Sequence, residues 1–195
     1  MTKINSQIIL DKAIILFSRT GMDYFSIRKL ADLVGISPSV IYHYFRDQDI
    51  LLQTMFHHLN HTLGFKRAVL PKKKTASEML KQRIEFQIDN QEAVVAVLKY
   101  YLSHRETFPK FKNGFVPDKS ALHIEEVLEF GRQTGEFQVE NLEDDAKVIA
   151  HAINGFLLEY FPYQPSGKEK KQLVERIHNF LIRALKKGGE ENESN

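Results

Sequence analysis

SIRKLADLVGISPSVIYHYF, residues 26–45, reads as two short helices joined at a glycine. Ile27, Leu30, Ala31 and Val34 recur at helical spacing and give the first helix one apolar face. Ser26 stands at its N-cap, where a hydroxyl oxygen accepts from a free first-turn N–H. Gly35 follows the last periodic residue, where a left-handed backbone closes a helix at low cost. Ser37 is expected to cap the second helix, and Pro38 takes its first position, where a missing N–H costs nothing. The second helix exposes Ser39, Tyr42, His43 and Tyr44. This is the layout of a helix-turn-helix, whose second helix enters the DNA major groove. The plainer alternative is a corner in an ordinary helical bundle.

The flanks favour the first reading. Upstream, Ile8, Ile9, Leu10, Ala13, Ile14, Leu16 and Phe17 form a helix with a wide apolar face, ending near Gly21. Downstream, Asp47 is placed to cap a long helix beginning DQDILLQTMFHHL. A three-helix domain followed by a long helix results.

These segments resemble the N-terminal domain of TetR-type transcriptional regulators. AILFSRTG, SIRKLADLVGISPSVIYHYF and RDQDILL supply Ala13, Leu16, Phe17, Gly21, Ser26, Leu30, Ala31, Gly35, Ile36, Ser37, Ile41, Tyr42, Tyr44, Phe45, Asp49 and Leu51 at the family's spacing. The match covers the first third of the chain; the remainder matches loosely. Gln48 stands where the family usually carries a lysine that touches a DNA phosphate. Ser39 and Val40 stand where glycine and threonine are frequent, so the operator sequence is this chain's own.

The resemblance implies a cytoplasmic, ligand-responsive DNA-binding regulator, a repressor released from a palindromic double-stranded DNA operator by a small apolar or amphipathic effector. Arg28 and Lys29 would hold phosphates, with hydroxyl contacts from Tyr42 and Tyr44. Ser37, Ser39, Val40 and His43 would face base edges, Val40 against a thymine methyl. Ser26 and Pro38 complete the expected DNA-facing set. The alternative is a constitutive helical DNA-binding protein or a protein-interaction adaptor without a ligand.

Bulk composition narrows the class. At 43% hydrophobic the chain can bury a real core, and no apolar run is long enough to span a bilayer. No charged-then-apolar leader opens the sequence, which fits a cytoplasmic protein with no membrane partner. Absence of cysteine excludes disulfides and thiolate metal sites. The net charge of +2 does not announce DNA binding by itself. Within residues 1–47, Lys3, Lys12, Arg19, Arg28, Lys29 and Arg46 stand against Asp11, Asp23, Asp32 and Asp47. The argument for DNA therefore rests on the motif.

Helices are expected at about 5–20, 27–34, 38–44 and 48–66, then from Thr75 to about 89, over QEAVVAVLKYYLSHRETF, over KSALHIEEVLEFGRQT with Asp118 as cap and Gly135 as stop, from Leu142 to Phe161, and over KEKKQLVERIHNFLIRALKK. PKFKNGFVPD reads as a loop and Lys72, Lys73 and Lys74 as solvated loop residues. No stretch alternates at period two, so the fold is all-α: a helix-turn-helix domain over 1–47, a helical ligand-binding and dimerisation domain over 48–188, and a disordered tail over 189–195.

The last two long helices are apolar on more than one side, through Val148, Ile149, Ala152, Ile153, Phe156, Leu157, Tyr160 and Phe161, and through Leu173, Val174, Ile177, Phe180, Leu181, Ala184 and Leu185. A second apolar face needs a partner, and an isologous copy is the commonest. The resemblance implies the same homodimer, with Ile153, Leu157, Tyr160, Ile177, Phe180, Leu181 and Ala184 at its seam. Phe56, Leu59, Phe86, Leu98, Tyr101, Phe130 and Phe156 are expected around an effector, each with plain core packing as the competing reading. His57 and His61 lie one turn apart but have neither an HExxH glutamate nor an obvious third ligand, so no metal and no cofactor is expected. The chain has no Gly-rich phosphate loop and no G-x-S-x-G, and an enzyme is not expected.

Overall fold

The computed structural model describes residues 4–71, 73–104, 106 and 119–186, with 119–122 described by backbone alone. Among these residues the chain is all-α, with nine α-helices and no strand. They are α1 (Ser6–Tyr24), α2 (Ile27–Val34), α3 (Pro38–Tyr44), α4 (Gln48–Ala68), α5 (Ala76–Asp89), α6 (Gln91–His104), α7 (Lys119–Gln133), α8 (Leu142–Tyr160) and α9 (Gly167–Lys186). Helix α8 stops one residue before the expected end, and Phe161–Tyr163 form a single 3-10 turn that includes Pro162. The Asp118 cap, the PKFKNGFVPD loop, Lys72 and the 189–195 tail lie outside the described residues, while Lys73 and Lys74 are exposed. No helix among the described residues is long and apolar enough to cross a membrane.

The chain divides into two compact units. The first is built from α1 to α4 together with α6, and the second from α5, α7, α8 and α9. The sequence boundary after residue 47 therefore falls inside the first unit, because α4 and α6 both pack on α1.

In the first unit, Ile9, Ala13 and Phe17 of α1 and Leu30, Ile41, Leu51, Met55 and Val95 are all fully buried. An aromatic chain runs through this core. Phe25 packs edge-on against Phe17 at 5.7 Å, and Phe17 touches Tyr100 at 6.3 Å. Tyr100 in turn stacks between Phe56 at 4.5 Å and His104 at 4.2 Å. Burial, helped by the Asp49 charge, pushes the Tyr100 phenol above its ordinary pKa. Helix α1 extends past the expected residue 20, but its backbone leaves helical geometry at Gly21, with φ 69° and ψ −169°. The break frees carbonyls, and Lys99 of α6 donates to two of them, Ser18 O at 2.6 Å and Arg19 O at 3.3 Å.

In the second unit, Thr75 and Glu78 form a capping box at the start of α5. Glu136 adds a remote cap, its carboxylate accepting from the backbone N–H of Ala76 at 3.0 Å and of Ser77 at 3.2 Å. Down the α5–α9 seam, Ser77 meets His178 at 3.1 Å, Lys81 pairs with Glu175, and Asp89 pairs with Lys170. The Lys81 ammonium holds the Glu175 carboxyl below its ordinary pKa. Beneath this polar ladder lie Leu80, Ile84, Val127, Leu128, Ile149, Leu173, Val174 and Ile177, each burial worth about 1.5–3 kcal/mol. Gly135, at φ 73°, ends α7, and the next two N–H groups return to Gly131 O at 2.8 and 3.1 Å.

Candidate nucleic-acid interface

Helices α2 and α3 form the expected helix-turn-helix. Ser26 Oγ accepts from Lys29 N–H at 3.3 Å. Gly35 is left-handed at φ 77°, and both its N–H and that of Ile36 reach Ala31 O, at 2.9 and 3.0 Å. The turn departs from expectation at one residue. Ser37 makes no side-chain cap; its hydroxyl pairs with Ser39 Oγ at 2.7 Å. The first turn of α3 is held instead by Val40 N–H donating to Ser37 O at 3.0 Å, with Pro38 removing one donor that would otherwise need a partner.

Only Ile41 of α3 is buried, and Phe45 anchors the helix end. Pro38, Ser39, Tyr42, His43 and Tyr44 are exposed, and Val40 is half-buried. So short a helix, held by one residue and its flanks, presents nearly its whole surface outward. His43 lies edge-on to Tyr44 at 5.4 Å. Two expected contacts are modified by internal bonds. Tyr44 donates its hydroxyl proton to Ile4 O at 2.9 Å, which pins the N-terminal segment and leaves only the oxygen lone pairs for a second partner. Lys29 Nζ donates to Tyr24 O at 2.9 Å and lies 5.8 Å from the Tyr24 ring centre. The ammonium keeps two further protons for an anion. Arg28 is exposed.

Two residues join this surface that the motif alone did not single out. Tyr24 is 68% exposed and steers Lys29. Arg46, directly after α3, has an 89% exposed side chain and a wet ion pair with Asp47 at 3.3 Å, too weak to hold it. Its position next to the motif was the available signal.

The residues expected around an effector fall in both units. Phe56 and Leu59 of α4 are buried, and Leu98 and Tyr101 of α6 are half-buried, all in the first unit. Phe86 of α5 is buried, and Phe130 of α7 and Phe156 of α8 are half-buried, in the second. Of the residues expected at a seam between copies, Ile153, Leu157, Ile177 and Leu181 are at most 4% exposed within the chain itself. Phe180 and Ala184 are exposed and Tyr160 half-buried, and Val148 joins them at 67% exposure. Beside them an open groove of about 460 Å³ is lined by Tyr160, Tyr163, Pro165, Gln172, Leu173 and Arg176 among others. His57 and His61 are exposed, and no group of three metal-ligating side chains stands together among the described residues.

Residues 9–55 match the family model of bacterial regulatory proteins of the tetR family, and residues 115–187 match that of the C-terminal region of QacR-like protein. The HTH-type transcriptional regulator BetI of Proteus mirabilis is 33% identical over 69 residues, 35% of this chain and 34% of the relative, so the alignment spans about a third of that protein. Three solved structures share the fold across nearly the whole chain. FadR from Bacillus subtilis, solved with stearoyl-CoA, is 17% identical with a TM-score of 0.67, covering 93% of this chain and 100% of the other. The ketosteroid regulator KstR2 of Mycobacterium tuberculosis is 14% identical with a TM-score of 0.69, covering 95% and 96%. AibR, solved with isovaleryl coenzyme A and operator DNA, is 16% identical with a TM-score of 0.65, covering 91% and 97%. The chain belongs to the TetR family of bacterial regulatory proteins.

Proposed function

We propose that this chain is a transcriptional repressor that binds a palindromic DNA operator as a homodimer and is released by a small effector, acting in the cytoplasm without a catalytic step. The observation that carries the reading is α3. A seven-residue helix with one buried side chain and an outer face of Ser39, Tyr42 and His43 is shaped for a major groove. Arg28, Lys29 and Arg46 flank it with positive charge suited to phosphates. Two copies would hold their α3 helices about 34–36 Å apart, one turn of DNA, or a multiple of that.

Helix α4 begins four residues after α3 and packs on α1 and α6, so a shift of α4 carries the recognition helix with it. An effector acts through such a shift only when it binds the two arrangements with different affinity. The likeness to FadR and AibR, solved with stearoyl-CoA and isovaleryl coenzyme A, supports an apolar or amphipathic effector.

The test is a gel-shift with the DNA upstream of the protein's own coding sequence, with a parallel selection from random duplexes. A retained palindrome, weakened steeply by added salt, supports the reading. Failure to bind any duplex at low salt leaves a protein-interaction adaptor in its place.

A further inference from the structure

Helix α5 carries a charge in an unusual setting. The Arg83 side chain is only 15% exposed, and its Nε and Nη1 are enclosed with no acceptor among the described residues. Its nearest anion among the described residues is Glu126 of α7, at 3.9 Å from Nη2, beyond hydrogen-bond reach. The Glu126 side chain is 65% exposed, so that pair is wet and weak. Burial lowers the Arg83 pKa, yet a guanidinium keeps its proton throughout the physiological range. A buried cation without an adequate partner opposes folding.

Acceptors in the same unit are also unused. Gln87, one turn along the same face of α5, is 7% exposed, and its Oε1 has no donor among the described residues. Asn154, on the buried face of α8, is 8% exposed, and its Oδ1 likewise has none among them. Helix α5 touches both α7 and α8. Native interiors leave few buried polar atoms unpaired, so buried donors and acceptors left unpaired within one unit point to a molecule that brings the complement. The surrounding turns are apolar, with Leu80 and Ile84 on α5 and Ala150, Ile153 and Leu157 on α8. Glu129 stands apart from this set, because Arg132 at 2.6 Å and Gln133 at 2.7 Å already engage its carboxylate.

We propose that the second unit holds an anion-selective effector site, in which Arg83 takes the carboxylate of a small organic acid and Gln87 and Asn154 accept from a hydroxyl or ammonium group on the same molecule. The planar guanidinium matches a carboxylate, and the two carboxamide oxygens demand a donor in place of a second anion. The proposal rests on the effector reading above and adds its chemistry.

The full chain is melted and titrated calorimetrically with matched compounds: 4-hydroxyphenylacetate, its neutral amide and the corresponding amine, with longer hydroxy and amino acids beside their amides. The acids are expected to raise the melting temperature, since a ligand bound only to the folded state stabilises it. The amides and amines are not. Arg83→Met is expected to abolish the acid's effect while melting, without ligand, at or above the wild type, because an apolar residue of similar length removes an uncompensated charge. Arg83→Lys should retain a weakened shift. The proposal is overturned if Arg83→Met melts well below the wild type, if amide or amine stabilises as well as the acid, or if no acid in the panel stabilises the wild type. Wild-type titration decides selectivity without any variant. Gel-shifts on the same samples separate the two readings: retained DNA binding beside a failed acid series sinks only the anion site, whereas absent DNA binding by the wild type sinks the regulator.

Discussion

At Gly35 and Gly131 the same added methyl group meets opposite problems. Gly35 sits at φ 77°, and nothing lies within 4 Å of where a Cβ would stand. Gly35→Ala therefore costs only the left-handed backbone, about 1–2 kcal/mol. Gly131 lies within α7, but a Cβ there would lie 2.2 Å from Cδ2 of the buried Phe137 ring. Gly131→Ala should cost about 1–3 kcal/mol or more through overpacking, in the second unit and not in the motif. Denaturant titration of both variants checks the pair, and a neutral Gly131→Ala would show that the Phe137 ring yields freely. On the DNA face, Arg28→Ala should weaken all duplexes about equally and lower the salt slope by about one. His43→Ala should instead change preference at one position of each half-site, by about 1–3 kcal/mol for the favoured base. Binding measured over a salt series on a set of single-base variants separates the two roles, and identical behaviour would remove His43 from the base readers.

At the scale of elements, the starts of α4 and α5 show two grades of capping. Asp47 accepts from Ile50 N–H at 2.8 Å, a local cap readable from neighbouring residues. Helix α5 has its capping box and then a second acceptor, Glu136, from about sixty positions away. That carboxylate meets two first-turn N–H groups at the positive end of the helix, an arrangement stronger than a neutral cap. Glu136→Ala should cost about 1–2 kcal/mol, with Glu136→Gln recovering part of it. Hydrogen exchange at Ala76 and Ser77 gives the specific readout: unchanged protection in Glu136→Ala would mean the capping box alone holds the helix start.

At the scale of the molecule, the proposed dimer turns on which apolar residues are left over after each unit has folded. Ile177 and Phe180 stand three positions apart on α9, yet Ile177 is 2% exposed and Phe180 is 54% exposed. Phe180→Arg should keep the melting behaviour of the second unit while shifting sedimentation from dimer to monomer and weakening operator binding. Ile177→Arg should unfold that unit, because burying an unpaired charge costs far more than losing a contact. A Phe180→Arg protein that stays dimeric would move the interface off this face.

The sequence by itself determined what depends on neighbours along the chain. Helical period, the Ser26 and Asp47 caps, and Gly35 act within a turn or two, and their residue types suffice to read α2 to α4 and the exposed face of α3. Ser37 misled because its hydroxyl found Ser39, a choice between two equally local partners. Tertiary structure alone decided the rest. An apolar stripe does not state which of its residues meet their own core, so Ile153, Leu157, Ile177 and Leu181 were indistinguishable in kind from Phe180 until packing buried them. Helix α6 joins the first unit, and Lys99 caps the break in α1, through contacts some eighty residues apart in the chain. Nothing in the local sequence sets Arg83 apart from Lys81 on the same helix. The burial of Arg83 follows from tertiary packing, because solvation of a charge is set by everything around it and not by its place in the sequence.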